Sequence, residues 1–357
     1  MKKARILLCT PNLKGIKDGL NRIQPPLGLM LIAQTLINQG HDVKIHDFAL
    51  EGWKNRVDLD IKNNLVLIGQ NDEEVRKVIS DYNPDLIVMG HADLVENDTL
   101  KLIKKNYPNI KIILWNVDHP LMNNTISKIK KRSKYVSNTF ITNADNVLKS
   151  AAINDMEISF IPNLFDKSID DLKVFQKRTY QHDIFFAMSH GVGSGKLKKN
   201  KYDGREIILR KISSNKEINT NFFGIDGIEP VWGQKFIEEL SKSPMGINLN
   251  QGEHVYLYSS DRIATYIGNG LCTFIKSDQG FEEIYNENEV VYFTDADHLI
   301  DKIKFFKNDP DLIRSIAHEG WLKSHTYFNA TVICKYILDK TFSTFDSNIN
   351  WPDISYN

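Results

Sequence analysis

The sequence predicts an α/β protein built from two Rossmann-like halves, and three observations carry that expectation. Short apolar runs alternate with helix-length segments from end to end, the rhythm of βαβ units and a largely parallel sheet. Several runs are apolar at successive positions, as in Leu86-Ile87-Val88-Met89, which suits strands covered on both faces. The rhythm pauses near residues 163–180 and then restarts, so two halves joined by one linker is the simplest account.

In the first half the strand-like runs are 4–9, 42–46, 65–68, 85–89, 111–115 and 158–161. Residues 29–37 carry apolar side chains at helical spacing, and Gly40 stands where such a helix would stop. Asn163-Leu164-Phe165-Asp166 leads into a polar stretch, 167–181. The second half supplies runs at 183–187, 218–223, 245–249, 271–275 and 290–293. Residues 296–307, 309–323 and 329–339 read as helices. The polar segment 343–357 reads as a trailing tail with Trp351 as an anchor. The expected domains are therefore 1–170 and 171–335, with 336–357 a helix end and tail.

Composition narrows the function. The 357 residues, 41% hydrophobic and 25% charged, suffice for two ordinary cores. A formal net charge of zero argues against a nucleic acid partner. The local basic clusters, such as Lys128-Ile129-Lys130-Lys131-Arg132, read first as solvated faces. Cys9, Cys272 and Cys334 are odd in number and form no CxxC pair, which points away from a zinc knuckle or a disulfide framework and toward a reducing cytoplasmic setting. The opening run 4–9 is too short for a signal peptide, and no run approaches the ~18 apolar residues of a membrane span. Any membrane contact would be peripheral, at the inner membrane face.

Candidate chemistry sits just beyond the strands, because open parallel sheets bind ligands past their carboxyl ends. In the first half His91 follows one strand directly, and Asp118 and His119 follow another. An imidazole or carboxylate there can act as general base or hold a hydroxyl; a helix cap or loop hydrogen bond is the bland alternative. In the second half, His190-Gly191-Val192-Gly193-Ser194-Gly195-Lys196 follows the 183–187 strand. Its glycines let amides approach a phosphate and Lys196 adds charge, but the spacing is not that of a Walker loop, and a flexible turn explains it equally well. Ser260 or Asp261 reads as an N-cap, with Arg262 in the first helical turn. A cation placed against the helix dipole is more easily understood if it meets a diphosphate. Glu282 and Glu283 follow the 271–275 strand. They either accept a ribose's hydroxyls or satisfy a helix dipole.

These second-half residues carry a resemblance. The stretch 245–328 resembles the donor-binding half of bacterial GT-B glycosyltransferases, family 1/4-like, and particularly the branch that includes the spore-maturation-type CgeB proteins. Gly246-Ile247-Asn248-Leu249-Asn250 is similar to the strand entering the site. Ser259-Ser260-Asp261-Arg262 with Gly268-Asn269-Gly270-Leu271 resembles the arginine-bearing helix and its glycine turn. Gly280-Phe281-Glu282-Glu283 leads to Asn288-Glu289-Val290-Val291 in a similar glutamate, loop, strand order, and His325-Thr326-Tyr327 resembles the closing signature. Upstream, Asp183-Ile184-Phe185-Phe186 with Arg205 is similar to the first strand of the donor domain and its arginine. The first half fits more loosely, through the strand ending in Gly90-His91.

The resemblance implies GT-B architecture, with two Rossmann-like domains facing each other across a cleft. It implies sugar transfer from a nucleotide-diphosphate sugar, a co-substrate rather than a cofactor, to a glycan, lipid-linked or protein acceptor in cell-surface glycan or glycoconjugate synthesis. No metal is implied. Gly193, Lys196, Arg205, Asn250, Ser260, Arg262, Glu282 and Glu283 would hold the donor, with His91 or Asp118 facing the acceptor hydroxyl. Thr265 stands where several relatives have a helix glutamate, and Ala187-Met188-Ser189 replaces a Phe-x-Gly. The shared two-Rossmann architecture keeps open a nucleotide-sugar epimerase, and the Thr265 departure keeps open a non-catalytic nucleotide-sugar-binding protein. A further resemblance, of Gln24-Pro25-Pro26-Leu27-Gly28 with Gly40-His41-Asp42-Val43 to the start of cobalamin-binding domains of radical enzymes, ends there, because the Asp-x-His-x-x-Gly motif is missing.

Overall fold

The computed structural model describes residues 3–10, 27–47, 76–90, 95–122, 124–188, 204–250, 252, 254–346 and 348–357. Two sheets organise them. The first contains β1 (Arg5–Thr10), β2 (Asp42–Asp47), β3 (Leu86–Gly90), β4 (Lys111–Asn116), β5 (Asn138–Ile141) and β6 (Glu157–Phe160), joined by β12 (Ser355–Tyr356). Its order is β12-β6-β5-β4-β3-β1-β2. All its pairs are parallel except β12 on β6. The second contains β7 (Ile184–Ala187), β8 (Thr220–Phe223), β9 (Met245–Ile247), β10 (Cys272–Lys276) and β11 (Val291–Phe293). Its order is β11-β10-β9-β7-β8, parallel throughout. The expected run 65–68 lies outside the described residues.

The helices follow the strands as βαβ crossovers require. In the first half they include α1 (Leu27–Asn38), α2 (Asn97–Asn106) and α3 (Thr125–Arg132), with a further helical stretch at 76–82. In the second half come α4 (Arg205–Ser213), α5 (Gly233–Leu240), α6 (Asp261–Gly268), α7 (Ala296–Lys307), α8 (Pro310–Tyr327) and α9 (Ala330–Thr341). Side chains alternate across each pleat. In the first sheet Ile6, Leu8, Leu86, Val88, Ile113 and Phe140 enter one core, while Leu7, Ile87, Met89, Ile112 and Ile141 enter the other. Gly28 sits against Trp115. A Cβ there would lie 2.1 Å from the indole, so the glycine lets α1 close onto the sheet.

The first of those cores does not stop at the domain edge. It continues through Leu257, Ile263, Ile267, Phe281 and Tyr285 of the second half, so apolar burial, not the linker alone, ties the halves together.

Two elements depart from the sequence reading. Strand β5 was not expected, because Asn138 and Thr139 are polar; both are buried, with Asn138 Nδ2 donating to Glu157 at 3.3 Å. The segment 343–357 is no trailing tail. Ser355–Tyr356 adds an edge strand to the first sheet. Trp351 is buried, edge-on to Tyr336 at 5.2 Å and to Phe328 at 6.2 Å. Lys340 binds Glu157 at 2.9 Å beside it. The physical reason is a β6 edge that needs pairing and an apolar surface on α9 that needs covering.

Candidate active site

The chain leaves β7 for β8 on one side and returns to β9 on the other, which makes the gap between β7 and β9 the topological switch point of the second sheet. Arg262 lies across that gap. Its Nη1 donates to the Leu249 carbonyl beyond β9 at 2.7 Å, and its Nη2 to the Ala187 carbonyl ending β7 at 3.4 Å. The guanidinium also lies over the Phe186 ring, 4.8 Å from its centroid.

Helix α6 presents this arginine because Ser260 caps it. The Ser260 hydroxyl accepts the Ile263 N–H at 3.4 Å and donates to Asn248 Oδ1 at 3.2 Å. The residue after the cap starts the helix, so Arg262 projects from the first turn, toward the carboxyl ends of the strands. Burial lowers its pKa, contact with Tyr266 opposes this, and the charge of Arg205 lowers it further. Arg205 is half-buried at the start of α4, the helix that follows β7. A guanidinium that a second cation destabilises is stabilised by an added anion. Beside Arg262, Asn250 Oδ1 and Asn248 Nδ2 are buried with no protein partner among the described residues.

The first half brings its own polar end to this place. Asn116 Oδ1 accepts the Asp118 N–H at 2.7 Å, a local turn that holds Asp118 half-buried. Tyr258, from the second half, donates to the Val117 carbonyl at 3.3 Å and meets His119 edge-on at 5.2 Å. Burial raises the Tyr258 pKa, the charges of Asp261 and Asp118 raise it further, and Arg262 opposes them. The phenol therefore sits among all three charges.

Further bonds fix the segment entering α6. Ser259 N–H donates to the Thr142 carbonyl at 2.8 Å, and Ala144 N–H to the Tyr256 carbonyl at 3.0 Å. Asp145 accepts the Tyr256 N–H at 3.1 Å. Asn163 donates its N–H to Ser259 Oγ at 2.9 Å and its carboxamide to Asp261 at 2.6 Å.

Of the residues expected at the site, Asp118, Asn250, Ser260 and Arg262 stand past the ends of β4 and β9, and Arg205 opens α4 after β7. Glu282 and Glu283 are exposed on a single 3-10 turn, Phe281–Glu283, past β10. Glu283 accepts a hydrogen bond from the Tyr256 hydroxyl. The turn depends on Gly280, whose φ is +77° and whose added Cβ would fall 2.2 Å from the Tyr256 ring. His91, Gly193 and Lys196 lie outside the described residues. His325 is buried, its Nε2 at 2.9 Å from the Gly268 carbonyl at the other end of α6. It braces the helix.

The sequence assigns no site role to Tyr258, Tyr256 or Asn163. Their partners lie 141, 27 and 98 residues away, so no local pattern marks them.

Comparison with known proteins bears on this geometry. Residues 204–338 match the family described as "Glycosyl transferase-like". A glycosyltransferase from Rickettsia africae superposes with TM-score 0.60 at 13% identity, over 98% of this chain and all of that one. The fold is GT-B. HepE of Anabaena, in complex with UDP and glucose, superposes on this GT-B chain with TM-score 0.57 at 12% identity, over 95% of this chain and 100% of that one. A 93-residue stretch, 26% of this chain, is 32% identical to cytidylyl-2-hydroxyethylphosphonate methyltransferase of Streptomyces wedmorensis, spanning 17% of that relative's length. No helix among the described residues is long and apolar enough to cross a membrane.

Proposed function

We propose that this protein transfers a sugar from a nucleotide-diphosphate sugar to an acceptor hydroxyl. The observation that carries the reading is Arg262, held across the β7–β9 switch point by the carbonyls of Ala187 and Leu249. A guanidinium has five N–H donors, so the bonds to two carbonyls and to Tyr266 leave donors for a diphosphate. The developing charge on the leaving nucleotide is stabilised by Arg262 and Arg205, preorganised by protein contacts. The charge compensation comes from arginine, and we propose that no metal is required.

Asp118, in the turn after β4 that Tyr258 touches, serves as general base toward the acceptor hydroxyl in an inverting transfer. Glu283, steadied by Tyr256, holds the nucleotide ribose. HepE's complex with UDP-glucose supports a nucleotide-sugar donor. The acceptor is a glycan, a lipid-linked sugar or a protein on the cytoplasmic side, in cell-surface glycan synthesis, met peripherally where it is membrane-bound.

The activity test is release of nucleoside diphosphate from UDP-, GDP-, CDP- and ADP-sugars, with and without magnesium, in the presence of cell-envelope acceptors. Metal-independent release from one nucleotide class is expected. Absence of release from every donor would contradict transfer and favour a binding protein on a transferase fold.

A further inference from the structure

Asp118 is held from both sides by one residue of the opposite half. Tyr258 donates to the carbonyl of Val117, which precedes Asp118, at 3.3 Å. Its ring meets the imidazole of His119, which follows Asp118, edge-on at 5.2 Å. Tyr258 lies two residues before the α6 cap Ser260 and four before Arg262. The ring is therefore a short strut between the acceptor-side carboxylate and the donor-side guanidinium. His119 is itself fixed, with Nδ1 accepting the Leu121 N–H at 3.3 Å and its carbonyl accepting the Met122 N–H at 3.1 Å.

We propose that Tyr258 is a positioning residue for the transfer step: through Val117 and His119 it sets where the Asp118 carboxylate stands relative to the donor held at Arg262. The inference rests on the transferase reading above and adds a residue to it. Proton removal is sensitive to such placement, because a general base must lie within hydrogen-bond reach of the proton it takes, and small displacements cost large factors in rate. Tyr258 touches the main chain and a neighbouring ring, so its effect passes through Asp118. The surrounding charges agree with this placement, since Asp118, Asp261 and Arg262 all act on the phenol.

The experiment is a double-mutant cycle on the full chain. Tyr258→Phe keeps the ring against His119 and removes the hydroxyl. It should lower kcat about tenfold and leave nucleotide Kd within about twofold. In the Asp118→Asn background the same change should lower kcat no further, because the group it positions is gone. Equal losses in both backgrounds, or a loss confined to nucleotide Kd, would overturn the positioning role while leaving the transferase reading intact. Tyr258→Leu, which also removes the ring, should lose more in kcat than Tyr258→Phe, and a melting temperature for each variant separates misfolding from misplacement. If the wild type transfers no sugar from any donor, the transferase reading fails and this role fails with it.

Discussion

The guanidinium of Arg262 donates to the carbonyl of Leu249 at 2.7 Å, across the switch point of the second sheet. A cation whose charge is met by a main-chain dipole rather than by a carboxylate keeps an attraction for an added anion.

Asp170 reports on the linker. It is buried, accepts the Asp166 N–H at 3.1 Å and the Asn269 carboxamide at 3.0 Å, and lies against Gly268 at the end of α6. Burial pushes its pKa up to about 7. In the window from about 4 to about 7 the native carboxyl keeps a proton that the unfolded chain has lost. Its contribution to stability is therefore full below about pH 4 and declines as pH rises toward 7. Urea unfolding of wild type and Asp170→Asn at pH 5, 6, 7 and 8 should show a wild-type advantage that shrinks as pH rises. A pH-independent difference would mean the carboxyl is not held neutral.

Gly28 is the contact that lets α1 reach the sheet. Gly28→Ala places a Cβ 2.1 Å from the Trp115 indole, and the ring must move within a packed core. A loss of about 1–3 kcal/mol is expected from such overpacking, read as a lower denaturation midpoint with an unchanged m-value.

The C-terminal segment is structural. Trp351→Ala removes a buried indole packed on Tyr336 and Phe328, and should cost roughly 3–5 kcal/mol in chemical denaturation. Lys340→Ala should cost less than Trp351→Ala in the same measurement. It deletes the 2.9 Å ion pair with Glu157, whose pKa burial raises but Lys340 and its hydrogen-bonding neighbours hold below normal overall.

Most strands were legible because each interior strand needs apolar side chains on both faces, and runs such as 86–89 and 111–115 have them. Strand β5 hid behind Asn138 and Thr139, polar residues that are acceptable inside because Glu157 and Met156 bond them. Strand β12 is two residues long and exists only because β6 offers an edge. At the site, Ser260 and Arg262 were legible because an N-cap fixes what the next residues face. The contact of Tyr258 with Val117 and His119 was not, since it arises when β4 of one sheet meets the approach to α6 of the other.

The most direct measurement is a titration of UDP, GDP, CDP and ADP into wild type and Arg262→Ala, followed by calorimetry and by thermal shift, with and without magnesium. One nucleoside diphosphate should bind the wild type selectively, and its affinity should fall by about 1.5–3 kcal/mol in the variant, the loss typical of a charged hydrogen bond. Equal affinity of the two proteins for every nucleotide would contradict a diphosphate site at Arg262.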